Sequence, residues 1–180
     1  MAQTDSVIYQ PAEDSWLLAT IVKKKVTGKS VLDMGTGSGI QARTAQHAGA
    51  KSVLAVDINR QALQKVREEG IATRYSDLFS NVKEKFDIII CNPPYLPQDM
   101  QEDLASARAT TGGKEGDEWI IRFLKQADTH LTKKGEILLL LSSLTPRKKM
   151  NALLTKKKLE VKVLATQALF METLEVWSIR

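Results

Sequence analysis

The 180-residue sequence holds one cysteine, Cys91, so no disulfide can form within the chain, and a reducing compartment is expected. No apolar run approaches the ~20 residues that a bilayer-spanning helix needs. The first residues, from Met1 to Asp5, have no basic stretch leading into an apolar one, so no secretory leader is expected. There are two histidines, His47 and His130, and neither has ligand spacing with a second histidine or the thiol. Internal repeats, low-complexity linkers and composition breaks are also missing, which leaves one domain over residues 1–180 and a cytoplasmic location as the expectation.

A chain of this length can bury roughly 70% of its unfolded surface, and 43% apolar with 26% charged residues is ordinary for a globular protein. The net charge of +5 gathers at Lys23-Lys24-Lys25, Arg147-Lys148-Lys149 and Lys156-Lys157-Lys158, all at predicted helix ends. Solvated faces and dipole-matched helix C-termini account for most of these. No basic stripe is interleaved with aromatics, so nucleic acid is not the favoured partner.

Hydrophobic periodicity alternates between strand and helix. Pro11 can open a helix whose buried stripe includes Trp16, Leu17, Leu18, Ala19, Ile21 and Val22, with Gly28 closing it. Strands are predicted at 30–34, 51–56, 71–75, 86–91 and 136–141. Helices are expected after Gly39, over 60–69, over 117–131 and from Pro146, with Lys134-Gly135 as a turn before the fifth strand. The runs 160–165 and 173–179 are too close for a helical crossover and should pair antiparallel. The fold class is therefore α/β: a doubly wound, mostly parallel, seven-stranded, Rossmann-like sheet with a C-terminal antiparallel hairpin.

The chemistry centres on Cys91-Asn92-Pro93-Pro94-Tyr95, directly after the apolar run at 86–90. Two prolines end the strand, and the residue before a proline is confined to extended geometry, so Asn92 is held at the tip. There its side-chain oxygen can accept one hydrogen of a planar, conjugated NH2 group, and a backbone carbonyl, that of Pro93, can accept the other. Tyr95 can cover one π face. The arrangement suits methyl or similar transfer to an amide or an aromatic amine, by orientation and electrostatics rather than by a strong base.

Asp33-Met34-Gly35-Thr36-Gly37-Ser38-Gly39 follows the first strand and opens a helix. Dinucleotide folds also place glycines here. In this sequence the third glycine comes one residue early, and Asp33 suits a ligand ammonium while repelling phosphate. S-adenosylmethionine is favoured over NAD on that ground. Asp57, at the second strand tip, can accept both hydroxyls of a ribose. Asp77 can accept from an adenine amino group, with Ile58 and Leu78 offering apolar contact to the ring.

With these residues assembled, the chain resembles class I S-adenosylmethionine-dependent methyltransferases, and within them the HemK-like release-factor glutamine methyltransferases of the archaeal and eukaryotic branch. The resemblance is carried by Tyr9-Gln10-Pro11-Ala12-Glu13-Asp14-Ser15, the Asp33 to Gly39 loop, Asp57, Ser76-Asp77-Leu78, Asn92 to Tyr95 and Gly112-Gly113. It implies that Ser15, Asp33, Gly35 and Gly37 meet the methionine end of the cofactor, Asp57 the ribose, and Asp77 with Leu78 the adenine. It further implies that Asn92 and Pro93 grip the glutamine of a Gly-Gly-Gln loop in a peptide-chain release factor. A small zinc-ribbon activator protein is the implied partner, expected on the open edge strand that begins at Ile71 and ends at Tyr75. Adenine-N6 or guanine-N2 methylation of nucleic acid, or methylation of protein lysine, are the competing activities.

Overall fold

The computed structural model describes residues 10–94 and 116–180. Seven strands form one sheet in the order β3-β2-β1-β4-β5-β7-β6. They are β1 (Ser30–Met34), β2 (Ser52–Asp57), β3 (Ala72–Tyr75), β4 (Phe86–Cys91), β5 (Leu131–Ser142), β6 (Val161–Ala168) and β7 (Thr173–Ile179). All neighbouring pairs from β3 through β5 are parallel, while β7 runs antiparallel to both β5 and β6. The predicted class, hairpin and reversed strand near one edge are all present.

Among the described residues the longer helices are α1 (Glu13–Lys25), α2 (Ile40–His47), α3 (Arg60–Glu68), α4 (Glu118–Ala127) and α5 (Lys148–Lys156). One sheet face packs Leu18, Ile21 and Val22 of α1 and Ala45 of α2 against Val31, Ile88, Leu138 and Val176. The opposite face packs Phe123 and Leu124 of α4 and Met150 and Leu154 of α5 against Leu32, Ile89, Leu139 and Trp177. Apolar cover on both faces explains why the central strands read as unbroken runs rather than alternating ones.

Three local expectations change. Trp16 is 59% exposed rather than part of the buried stripe of α1. The buried face runs through Asp14, Ser15, Leu18, Ile21 and Val22, and a residue two positions after Asp14 points about 200° away from it. The helix expected over 117–131 ends at Ala127 and tightens into a short 3-10 turn, Asp128–His130. Strand β5 begins at Leu131 instead of after a turn at Lys134-Gly135. Its register against β4 jumps from Phe86↔Leu131 to Ile88↔Glu136, so a bulge absorbs the extra residues. A side chain at Gly135 would lie 2.9 Å from the Phe86 carbonyl oxygen, which is why the bulge carries glycine. Arg147-Lys148-Lys149 stands at the start of α5, as a helix opening at Pro146 predicts, and there the helix dipole opposes cations. Arg147 is offset by Glu175 at 3.0 Å, and Lys149 approaches Asp117 at 3.5 Å.

Candidate active site

Strand order reverses between β1 and β4, and ligands of open α/β sheets bind at the carboxyl ends of strands beside such a reversal. Asp33 lies in β1, Asp57 ends β2, Asp77 follows β3, and Asn92 follows β4. Four adjacent strands thus bring the sequence-predicted acids and the carboxamide to one end of the sheet.

On β1, Asp33 is buried, and its Oδ2 accepts from Thr36 Oγ1 at 2.7 Å and from the Ala42 amide at 3.1 Å. Burial raises its pKa to about 6, only partly countered by the Thr36 and Ala42 hydrogen bonds. The glycine loop above it is drawn toward β2, because the amides of Gly35 and Thr36 donate to the Val56 carbonyl at 2.8 and 3.0 Å. Gly35 has φ of 71°, and a Cβ there would meet nothing within 4 Å, so the loop leaves open space on its outer side. Gly39 differs: a Cβ would come within 2.5 Å of Val66 Cγ2, so its absence lets α2 and α3 approach.

Asp57 Oδ2 accepts from the Gly37 amide at 2.9 Å and Oδ1 from the Asn59 amide at 2.8 Å. Burial again raises its pKa, against those backbone hydrogen bonds. Each oxygen keeps a lone pair for a further donor. Ile58 is exposed beside it, whereas Leu78 is buried with φ of 48°. Asp77 is exposed and its carboxylate is paired with Arg122 at 2.8 Å, so a second donor would have to share it. Ser76, which the sequence reading quoted without a role, is buried and shapes this turn: its hydroxyl donates to the Leu78 carbonyl and accepts from the Asn81 amide.

The acceptor side is organised by a residue that the sequence reading quoted but gave no role. Asp14, buried in the first turn of α1, accepts from Asn92 Nδ2 at 3.0 Å. A carboxylate facing an amide can only accept, which fixes the orientation of the Asn92 carboxamide. Asn92 Oδ1 then points the other way, buried and without a hydrogen-bond partner among the described residues. An acid at the head of the Leu18, Ile21 and Val22 stripe was the available signal, since such a position rarely takes a charge without a partner. The neighbouring Ser15 is buried as well, and its carbonyl accepts from Gln41 Nε2 of α2 at 2.9 Å. Pro93 is buried at the strand end. Tyr95, Tyr9 and Gly112-Gly113 lie outside the described residues. Cys91 is buried, and burial raises its thiol pKa, which excludes it as a nucleophile at neutral pH.

The family model for the methyltransferase small domain matches residues 12–171. The chain belongs to that family. As a methyltransferase it is 40% identical over 149 residues to a Methanocaldococcus jannaschii protein provisionally named protein N5-glutamine methyltransferase, covering 78% of this chain and 75% of that one. It is 34% identical over 105 residues to the release factor glutamine methyltransferase of Streptococcus pneumoniae, covering 54% of this chain and 38% of the relative. Its fold matches a chain of the E. cuniculi Mtq2–Trm112 complex, responsible for methylation of the termination factor eRF1, with a TM-score of 0.77 at 25% identity. That match covers 95% of this chain and 96% of the other. The donor side of this methyltransferase has the features that S-adenosylmethionine asks for. Asp33 offers a buried carboxylate that could receive an ammonium, the loop is open at Gly35 and Gly37, and Asp57 keeps lone pairs that ribose hydroxyls could fill.

Proposed function

We propose that this methyltransferase methylates the side-chain amide nitrogen of a protein glutamine, in the Gly-Gly-Gln loop of a peptide-chain release factor. The observation that carries the reading is Asn92: its Nδ2 is held by Asp14 while its buried Oδ1 has no partner among the described residues. A buried acceptor left unsatisfied costs free energy until a donor arrives. The names of the M. jannaschii and S. pneumoniae relatives support a glutamine amide as that donor.

Asn92 Oδ1 takes one N–H of the incoming amide and the Pro93 carbonyl the other. Together they hold the NH2 plane and aim the nitrogen lone pair across the hollow toward β1. When bound, S-adenosylmethionine supplies a methyl group on a positively charged sulfur. Asp33 holds its ammonium, Ser15, Gly35 and Gly37 line its methionine end, and Asp57 its ribose. Ile58, Leu78 and Asp77 lie toward its adenine. The alkylated amide is strongly acidic and sheds its extra proton to water, so the chain needs no general base. A lysine substrate would have to lose a proton before attack, and the described part of the strand tip offers it a carboxamide instead of a base. A base of a nucleic acid would have to be taken out of its stack.

A partner protein completes the reading. Strand β3 is an open edge of four residues, with Tyr75 exposed at its end and capped by Arg60, 4.5 Å above the ring. That Mtq2 is found in a complex with Trm112 supports a protein partner, and on this reading that partner is a small zinc-ribbon protein pairing along the edge. Incubating a release factor with the chain, that partner and S-adenosylmethionine should add the mass of one methylene to the loop glutamine. Methyl groups found only on lysines would refute the assignment.

A further inference from the structure

Apolar side chains stand at the carboxyl end of the sheet, one to three strands from Asn92, and the chemistry above does not use them. Phe170 and Met171, at the tip of the β6–β7 hairpin, are 99% and 80% exposed, and Leu144, after β5, is 51% exposed. Short hairpin tips ordinarily go to glycine, asparagine or aspartate. Neither Phe170 nor Met171 has positive φ, so the turn itself does not select these two residues.

The three side chains ride on one framework. The Ser143 amide donates to the Thr173 carbonyl at 2.8 Å, and the Thr173 amide to Ser143 Oγ at 2.9 Å. Ser142 Oγ donates to Glu172, and the Leu144 amide donates to Ser142 Oγ at 3.1 Å. The β5 end and the hairpin tip are therefore stitched together.

Pairing registers place this rim relative to Asn92. Cys91 pairs with Leu139, Leu139 pairs with Trp177, and β7 begins four residues further toward the rim, at Thr173. At ~3.4 Å per residue and ~4.8 Å per strand, the tip stands roughly 14 Å beyond the level of Cys91 and roughly 10–15 Å to the side. A small molecule held at Asn92 cannot touch it. A folded protein lowering one loop onto Asn92 would meet it with its body.

Charge and size narrow the occupant. Arg147, Lys148 and Lys149 lie at the same end of the sheet, but Arg147 is paired with Glu175 at 3.0 Å and Lys149 with Asp117 at 3.5 Å, and Glu172 of the hairpin adds a further carboxylate. A balanced rim does not attract phosphate backbones. The exposed apolar area, roughly 400 Å², is about half of what each partner of a stable dimer buries. That is too little for a second copy, and suits an anchor for a molecule also held elsewhere.

We infer that Leu144, Phe170 and Met171 dock the folded body of the protein substrate whose glutamine enters at Asn92, an inference that rests on the glutamine reading. The test replaces Phe170→Ser with Met171→Ser, with the partner protein present in every arm. On an intact release factor, KM should rise at least tenfold with kcat held, while a short peptide containing Gly-Gly-Gln is methylated as before. An unchanged KM on the intact protein overturns the inference, as does an equal loss on the peptide. A dimer that the double variant dissolves, with substrate binding unaltered, overturns it too. Binding of the release factor, read by fluorescence anisotropy without methyl transfer, separates the two readings. Weaker binding by the variant, with no glutamine methylation even by the unaltered chain, would uphold the dock and remove the glutamine assignment.

Discussion

At the scale of single residues, the site depends on how Asn92 is aimed. Replacing Asn92 with alanine removes one of the two acceptors that hold the amide. The expected loss in kcat is about 10²–10³, with cofactor affinity nearly intact. Asp14 acts through Asn92 as a positioning residue. Asp14→Asn lets the facing amides pair in either sense, so kcat should fall about tenfold with a smaller change in KM. The same change made in the Asn92→Ala background should cost nothing further, because the group it positions is gone. Steady-state kinetics on the four combinations would show this, and additive losses would assign Asp14 a structural role only.

Asp33 gives the residue scale a pH dependence. Its folded pKa of about 6 lies above the ordinary 3.8 because the group is buried, so the folded chain binds the extra proton between those values. Stability then falls as pH rises through that window, by up to roughly 3 kcal/mol at 1.36 kcal/mol per unit. A bound ammonium needs the carboxylate, so cofactor affinity should instead weaken as pH drops below about 6. Asp33→Asn should flatten both trends, raise the melting temperature of the free chain and weaken the cofactor. Calorimetry and cofactor titration on either side of pH 6 would measure them. Affinity independent of pH would remove Asp33 from the ammonium.

At the scale of elements, two glycines of one loop should fail differently. Gly39→Ala forces a Cβ against Val66 at φ of 83°, so it should destabilise the α2–α3 packing by about 1–3 kcal/mol. Gly35→Ala meets no neighbour and carries only the backbone penalty of about 1 kcal/mol, yet it fills the space left for a ligand. Thermal unfolding should single out the first and cofactor titration the second. The sequence shows glycines at both positions and gives no sign of this division, which exists only once α3 is folded against α2. The elements themselves were largely legible, because central runs such as Phe86–Cys91 are apolar on both faces and end at turn residues. The β5 bulge was not, since Lys134-Gly135 has the chemistry of a turn and only the approach of the Phe86 carbonyl makes it a strand. Nor were the acids that offset Arg147 and Lys149, since Glu175 and Asp117 come from elsewhere in the chain.

For the whole molecule, the sheet has two edges and the readings give them different work. Partner pairing along β3 should slow amide hydrogen exchange across residues 68–78 on complex formation, and no added protection there would move the partner elsewhere. The observed strand order, β3-β2-β1-β4-β5-β7-β6, is one of the few that short connections and right-handed crossovers allow. The gathering of Asp33, Asp57 and Asp77 at one end of the sheet was legible too, since each lies near or just past the end of a predicted strand. Asn92 was legible as an acceptor, but its tether was not, since Asp14 lies far from it in sequence and meets it only when α1 settles on the sheet.

Two adjacent residues of α1 reach opposite sides of the reaction hollow. Asp14 steadies the amide-gripping tip, and the Ser15 carbonyl is fastened to α2, behind the glycine turn. One helical turn is thus a common hinge pin, and neither side can slacken without disturbing the other.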